Sequence, residues 1–284
     1  MTIGELYRQF LRELKNLLPS GEADQITRMV FEKVTGLQRS EVIKNPEAPI
    51  EATLKNTLLQ MLNALLNNEP VQYVLGECHF YQLDFEVNKS VLIPRPETEE
   101  LVERAIDFCK HNKIAKVLDI GTGSGCIPIS IKKHSEEALV TAIDISSDAL
   151  TLAKKNAFKH DVAINFLCLD FLDENTWKLL PHFDLIVSNP PYIPASESNL
   201  MDDNVVKFEP HLALFVPDED PLVFYKKIMQ FGKSHLNPSG KILVEIHEKM
   251  GNEIQQLLSQ NGYTAKLIKD IYEKDRMVEI ILCQ

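Results

Sequence analysis

The sequence has little that would assign it to a disulfide-bonded or membrane protein. It contains no C-x-x-C pair, and its cysteines are odd in number and widely spaced, which argues against a disulfide framework or a cysteine zinc site. The first residues carry no basic segment and no Arg- and Ser-rich transit pattern, and no apolar run approaches the roughly 18 residues that span a bilayer. We therefore expect a cytoplasmic protein with reduced thiols and no membrane partner.

The chain also lacks a concentration of basic residues. Its 284 residues have a formal net charge of -11, and the charged residues are spread along the chain. Neutralisation of phosphates supplies most of the nonspecific affinity for nucleic acid, so an acidic chain is a poor candidate for such binding, although a small basic patch is compatible with this composition. The hydrophobic residues, 44% of the total, suffice for one large domain or for a medium domain with a smaller companion.

The hydrophobic pattern divides the chain into three segments. Residues 1–68 have apolar residues at three- and four-residue steps, which predicts a small helical bundle. Residues 69–92 change to the alternation typical of strands, which predicts a β-hairpin linking two domains. Residues 93–284 alternate strand and helix patterns, as in a parallel sheet covered on both faces. The first segment has no His, Cys or Trp, so chemistry is expected in the third.

Seven segments of the third part have strand patterns and predict an open α/β sheet. They are residues 116–120, 139–143, 164–168, 184–188, 241–246, 264–269 and 277–283. Ligands of such sheets bind beyond the carboxyl ends of the strands. Before the first strand, the prolines on both sides of Arg95 predict a stiff, extended strap followed by a helix over about 101–110. The alternative is that Pro96 and the acidic residues after it begin that helix, where they are well tolerated.

The ends of the first three predicted strands carry residues suited to a nucleoside cofactor. The first ends in Gly121-Thr122-Gly123-Ser124-Gly125, whose glycines allow a tight turn and close approach of backbone to a ligand, with a helix starting near residue 126. The spacing is G-x-G-x-G, not the dinucleotide type G-x-G-x-x-G. Asp144 ends the second strand, where a carboxylate accepts from ribose hydroxyls, in NAD and S-adenosylmethionine alike. An alternative role for Asp144 is a helix N-cap beside Ser146.

The third and fourth strand ends complete the pattern. Asp170 and Phe171 offer an acceptor for an adenine amine and an aromatic ring for the base. Asn189-Pro190-Pro191-Tyr192 follows the fourth strand, and its prolines donate no backbone hydrogen and leave carbonyl acceptors, to which Asn189 adds another. Such a group could hold a planar NH2, although the four residues alone are also typical of a turn.

In this order, the strand ends resemble those of class I S-adenosylmethionine-dependent methyltransferases. We therefore expect a Rossmann-like methyltransferase sheet of seven strands, mostly parallel with the last strand antiparallel, and a small N-terminal helical bundle joined to it by the hairpin. The sequence is more closely similar to the release-factor glutamine methyltransferases of the PrmC or HemK type. The segments that carry this similarity are EPVQYVLG at 69–76, LIPRPETE at 92–99, the glycine loop, NPPYI at 189–193 and FEP at 208–210.

The resemblance implies transfer of a methyl group from S-adenosylmethionine to the glutamine N5 of the Gly-Gly-Gln motif in class I peptide-chain release factors. By similarity, the glycine loop contacts the methionine and ribose portions, Asp144 the ribose, and Asp170 and Phe171 the adenine. Asn189, Pro190, Pro191 and Tyr192 would hold the glutamine amide, and Asn189 would also adjoin the cofactor. We expect the bundle at 1–68 to bind the release factor, no metal, no direct nucleic-acid contact, and a monomer. No general base is evident, and Tyr192 has a structural role as an alternative.

Three other functions are compatible with parts of the pattern. A nucleic-acid methyltransferase acting on exocyclic amines could use the same acceptors on a flipped base, but it should carry a basic groove and a target-recognition domain. A non-catalytic docking module should have a degenerate cofactor pocket. An NAD-dependent oxidoreductase is disfavoured by the glycine spacing and by the lack of a placed catalytic His or Tyr-x-x-x-Lys.

Overall fold

A computed structural model describes residues 1–112 and 114–283. The chain divides into two compact units: Met1–Gly76 with Asp203–Phe208, and Glu77–Asp202 with Glu209–Gln284. Residues 113 and 284 fall within the predicted range 93–284 and lie outside the described residues.

The first unit contains the predicted helices. They are α1 (Ile3–Leu14), α2 (Ser20–Thr35), α3 (Arg39–Lys44), α4 (Ala52–Leu66) and α5 (Val71–Leu75). Thr2 begins α1 with a capping box, because its hydroxyl accepts from the Glu5 amide while the Glu5 carboxylate accepts from the Thr2 amide. The apolar residues at helical spacing, such as Leu6, Phe10 and Phe31, are fully buried in one cluster, which confirms the helical bundle.

The segment 69–92 contains a short helix as well as the predicted hairpin. Pro70 precedes α5, Gly76 ends α5 in the left-handed conformation, and the first unit extends to that glycine. The hairpin is confined to β1 (Glu77–Phe80) and β2 (Leu83–Glu86), which pair antiparallel. Phe80 and Phe85 are buried in a core cluster of the second unit. The hairpin is thus a packed part of the second unit.

The described part of the second unit contains the predicted sheet. Its further strands are β3 (Lys116–Ile120), β4 (Leu139–Asp144), β5 (Asn165–Cys168), β6 (Phe183–Ser188), β7 (Ile193–Pro194), β8 (Phe215–Val216), β9 (Leu236–Glu245), β10 (Tyr263–Lys269) and β11 (Asp275–Leu282). Seven strands form one sheet in the order β10-β11-β9-β6-β3-β4-β5, while β7 and β8 pair separately. β11 is antiparallel to both of its neighbours and the other pairs are parallel, which confirms the predicted fold.

Helices cover both faces of this sheet. Alternate residues of a strand point to opposite faces, and the strands contribute apolar side chains to both. Leu118 and Ile186 belong to one buried cluster, whereas Val117 and Leu185 belong to another. The other helices of the second unit are α6 (Glu97–His111), α7 (Cys126–His134), α8 (Ser147–Lys159), α10 (Val223–His235) and α11 (Gly251–Gln260), whereas α9 (Asp203–Phe208) belongs to the first unit. Within the described ranges, no helix is both long enough and apolar enough to cross a bilayer.

The predicted start of the helix that follows Arg95 needs correction. Helix α6 begins at Glu97, four residues before the expected start, and Pro96 has helical dihedral angles of -57° and -34°. The fixed φ of proline suits the start of a helix, and Glu97, Glu99 and Glu100 lie where the helix dipole favours negative charge. The alternative, in which Pro96 and the acids begin the helix, is therefore the right one. As a consequence, Thr98 lies in the first turn of α6.

Candidate active site

One pocket collects the ends of the parallel strands. Since β3, β4, β5 and β6 run in the same direction, the residues that follow them meet at one edge of the sheet. Seven of the predicted site residues line the pocket: Gly121, Gly123, Asp144, Asp170, Phe171, Asn189 and Pro191. Thr122, Ser124, Gly125, Pro190 and Tyr192 are outside its lining. The pocket also includes residues to which the sequence assigned no site role, among them Val91, Leu92, Pro210, Leu212 and Phe224.

The glycine loop has the backbone that its spacing predicts. Gly121, Gly123 and Gly125 have φ values of 74°, 53° and 81°, which L side chains rarely adopt. At Gly125 a side chain would also be crowded, because a Cβ would lie 2.9 Å from the Ile129 Cδ1 atom and 3.1 Å from the Ala153 Cβ atom. The amides of Gly121 and Thr122 donate to the Ile143 carbonyl, each at 3.0 Å, which joins the loop to the neighbouring strand.

Asp144 connects the loop to the next helix. Its Oδ2 atom accepts from the Gly123 amide at 2.8 Å, and its Oδ1 atom accepts from the Ser146 amide at 2.9 Å. Ser146 is the N-cap of α8, with its hydroxyl accepting from Ala149, so the alternative N-cap role for Asp144 is wrong. A carboxylate has about four acceptor sites, and two are used here. Asp144 therefore retains acceptor capacity toward the pocket that it lines.

A buried acid, Asp119, lies at the end of β3 just before the loop, and no role was predicted for it. Asp119 is fully buried, and neither of its carboxylate oxygens has a hydrogen-bond partner of standard geometry among the described residues. The hydroxyls of Thr122 and Ser124 are equally unpaired in the described part of the chain. Burial raises the pKa of Asp119 to about 7, against a lowering effect of the neighbouring Thr122 hydroxyl. Such a cluster of unsatisfied groups is typical of a binding site.

The third strand end supplies an exposed acid and a buried ring. Asp170 is exposed, and its Oδ1 atom accepts from the Leu172 amide at 2.9 Å. Phe171 is buried and packs against Trp177 and Phe231, with ring centroids 5.6 Å and 5.5 Å apart. Its backbone carbonyl accepts from the Trp177 indole at 2.8 Å. The Phe171 ring is therefore both a pocket wall and a core side chain.

The two polar side chains of the segment 189–192 donate hydrogen bonds to different residues. Asn189 lines the pocket, and its Nδ2 group donates to the Thr98 hydroxyl at 3.1 Å. The Tyr192 hydroxyl donates to the Glu245 Oε1 atom at 3.2 Å, and burial raises the pKa of Tyr192 so that this hydroxyl stays protonated. Tyr192 thus has a structural partner, which favours the alternative role stated for it.

Two segments that carry the family resemblance meet beside the pocket. The Glu209 side chain is 1% exposed and accepts from the Arg95 guanidinium at 2.6 Å and from the Ile93 amide at 3.1 Å. Leu92 and Pro210, their neighbours in sequence, line the pocket. These charge-assisted hydrogen bonds join the segment that contains Leu92 to the segment that contains Pro210, and so connect two walls of the pocket. This connection explains why an arginine and a glutamate occur in the two segments.

Comparison with known proteins agrees with these observations. A model of the methyltransferase small domain matches residues 104–207, and a model of the PrmC N-terminal domain matches residues 5–76. A protein of Flavobacterium psychrophilum named release factor glutamine methyltransferase is 40% identical over 287 residues, covering 99% of each chain. A protein of the same name from Bacteroides thetaiotaomicron is 38% identical over 269 residues, covering 94% of this chain and 95% of the relative.

The chain belongs to the release factor glutamine methyltransferase family. The predicted family and class of enzyme are therefore confirmed. The solved hMettl16 catalytic domain is 14% identical, covers 82% of this chain and 83% of its own, and superposes with a TM-score of 0.55, which shows a shared methyltransferase fold.

Proposed function

We propose that this enzyme transfers a methyl group from S-adenosylmethionine to the side-chain amide nitrogen of the glutamine in the Gly-Gly-Gln motif of class I release factors. The observation that carries the proposal is the position of Asn189 in the pocket that also contains the glycine loop and Asp144. Its Nδ2 group is engaged by Thr98, which leaves its carbonyl oxygen as the acceptor for a substrate NH2.

The pocket residues fit the proposed methyl donor. Asp144 has acceptor capacity for the ribose hydroxyls, the glycine loop offers close backbone approach to the methionine portion, and Asp170 with Phe171 borders the space for adenine. The carboxyl group of Asp119, just before the loop, has no hydrogen-bond partner of standard geometry among the described residues, and a cationic ligand nearby would favour its ionised form. S-adenosylmethionine is such a cation and supplies an electrophilic methyl group on its sulfonium.

The work of the protein in this reaction is positioning. An amide nitrogen is a weak nucleophile, because its lone pair is delocalised into the carbonyl. We expect the Asn189 side-chain oxygen and the Pro190 carbonyl to accept the two amide protons and so direct the nitrogen at the methyl group. A near-attack geometry is worth up to about 7–11 kcal/mol, and the same acceptors strengthen as positive charge grows on nitrogen. The extra proton can leave to water after transfer.

A transfer assay tests the proposed function. Purified full-length enzyme is incubated with methyl-labelled S-adenosylmethionine and a class I release factor, and the label incorporated into protein is counted. We expect labelling of the release factor and none when the glutamine of its Gly-Gly-Gln motif is replaced by alanine. A nucleic-acid substrate assayed in parallel represents the rival activity. Label in nucleic acid, with none in the release factor, would refute the proposal in favour of that rival.

We further propose that the N-terminal unit binds the release factor. Each unit has its own buried hydrophobic cluster, so removal of residues 1–76 keeps all residues of the two clusters around the sheet, while Asp203–Phe208 loses the rest of its unit. The deletion is expected to raise KM for intact release factor about tenfold or more, while the Kd for S-adenosylmethionine and KM for a short Gly-Gly-Gln peptide stay unchanged. Steady-state kinetics and calorimetry measure these values, and circular dichroism verifies the fold. An unchanged KM for intact release factor contradicts this role.

The monomeric state, the cytoplasmic location and the absence of metal, nucleic-acid and membrane partners stay predictions.

A further inference from the structure

A buried hydrogen-bond chain runs from the end of β9 to the pocket. The Thr98 hydroxyl donates to the Glu245 Oε2 atom at 2.7 Å and accepts from the Asn189 Nδ2 group at 3.1 Å. Thr98 and Glu245 are each 2% exposed. Thr98 lies in the first turn of α6, Glu245 at the end of β9, and Asn189 directly after β6. As many as 147 positions of the sequence separate these residues.

The chemistry of this chain fixes the direction of each hydrogen bond. An ionised carboxylate only accepts, so the single hydroxyl proton of Thr98 points to Glu245. The Thr98 oxygen is then an acceptor, and the Asn189 amide must present its NH2 group to it. The Asn189 oxygen consequently faces away from Thr98. An asparagine amide is otherwise free to rotate by half a turn, which would exchange an acceptor for a donor.

The Glu245 carboxylate also binds Tyr192, the second polar side chain of the segment 189–192. Its Oε1 atom accepts from the Tyr192 hydroxyl at 3.2 Å, while the Tyr225 hydroxyl donates to the backbone carbonyl of Glu245. Burial raises the pKa of Glu245 to about 7, and Thr98, Arg276 and Tyr192 act to lower it. Burial of a carboxylate in the folded protein costs free energy. A buried carboxylate beside the pocket is therefore expected to have a functional role.

We propose that Thr98 and Glu245 are positioning residues, which orient the Asn189 amide so that its oxygen, and not its NH2 group, faces the substrate. The inference rests on the proposed function, because it names the device that keeps the acceptor of that reaction in place. Neither residue contacts the reacting atoms in this scheme. Their effect is therefore expected on turnover and not on binding of S-adenosylmethionine.

Replacing Thr98 with valine tests the proposal, since valine keeps the shape and removes the hydroxyl. At about pH 8.5, where Glu245 is ionised, kcat for release-factor methylation should fall roughly tenfold to a hundredfold, as expected for loss of a buried polar partner. The Kd for S-adenosylmethionine should not change. Thr98→Ser retains the hydroxyl and should restore turnover. The matched control is Thr141→Val, at a buried threonine of β4 outside the pocket lining.

Variants at Glu245 probe the other end of the chain. Glu245→Gln can still accept from Thr98 through its oxygen and should retain most turnover. Glu245→Met accepts nothing, so the Thr98 proton becomes available to the Asn189 oxygen and favours the wrong amide orientation. We therefore expect Glu245→Met to lower kcat at least as much as Thr98→Val. Equal effects of the Gln and Met variants would overturn the role of Glu245 as an acceptor.

The orientation of Asn189 has a readout that does not depend on the reaction. In enzyme labelled with 15N at asparagine side chains, the Asn189 NH2 pair is identified by its loss in Asn189→Ala. We expect slow hydrogen exchange of this pair in the wild type and in Thr98→Ser, and fast exchange in Thr98→Val. If the wild type does not methylate the release factor but this pattern holds, the proposed function fails and the orienting contact stands. Unchanged exchange and unchanged kcat in Thr98→Val would overturn the inference.

Discussion

Replacement of Asn189 by alanine is expected to lower kcat for release-factor methylation by about three orders of magnitude or more, with little change in the Kd for S-adenosylmethionine. Alanine removes the acceptor oxygen that we assign to one substrate amide proton. The amide nitrogen would then be held by one contact only and would leave the line of attack on the methyl group. The donor pocket keeps the glycine loop, Asp144 and Asp170, so cofactor affinity has no reason to fall more than a few-fold.

Single-turnover kinetics and calorimetry separate these two effects. Single-turnover conditions exclude product release as the measured step, and calorimetry reports cofactor binding directly. Asn261→Ala is a matched control, because Asn261 is also half-buried and its NH2 group donates to the Leu257 carbonyl at 2.8 Å, outside the pocket lining. Turnover of Asn189→Ala within tenfold of the wild type would rule out the amide clamp, and equal loss in both variants would indicate a general effect on stability.

The sheet could be predicted because its strands are short apolar runs that end in distinctive residues. β3 has the predicted bounds, and β4, β5 and β6 begin or end within one residue of theirs. The glycine loop was recognisable because only glycine readily adopts its positive φ values. Local sequence therefore sufficed wherever backbone conformation and burial were set by neighbours in the chain.

The start of α6 shows where local rules compete. The prolines around Arg95 are compatible with an extended strap and with a helix start. The helix forms because its first turn gains tertiary contacts: Thr98 bonds to Glu245, and the Glu99 carboxylate accepts from the Tyr81 amide at 3.0 Å. Glu245 and Tyr81 are distant in sequence, and no sequence pattern around residue 95 predicts these contacts.

The same limit applies to the site. Asp119 precedes the glycine loop by two positions, but its importance comes from complete burial without a hydrogen-bond partner among the described residues, which only the fold produces. Glu245 ends an apolar strand and looks like a solvent-facing acid in the sequence. Its burial beside Asn189 depends on β9 lying next to β6 in the sheet. Site residues on one loop were predictable, whereas those assembled across strands were not.

Replacement of Asp144 by alanine is the second large effect that we expect, and it should appear in binding and not in turnover. Asp144 would lose two charge-assisted hydrogen bonds to the ribose hydroxyls and also its existing contact to the Gly123 amide at 2.8 Å. Hydrogen bonds to charged groups contribute about 1.5–3 kcal/mol each, so the Kd for S-adenosylmethionine should rise roughly a hundredfold to ten-thousandfold. At saturating cofactor, kcat should stay within a few-fold of the wild type.

The two contributions of Asp144 can be separated with a modified ligand. Calorimetry compares S-adenosylhomocysteine with an analogue that lacks both ribose hydroxyls, for the wild type and for Asp144→Ala. If Asp144 binds the ribose, the wild type should discriminate strongly between the ligands and the variant hardly at all. If it acts only by anchoring the glycine loop, the variant should lose affinity equally for both. The control is Asp148→Ala, because Asp148 is exposed in the first turn of α8 and outside the pocket lining, so both affinities should remain those of the wild type.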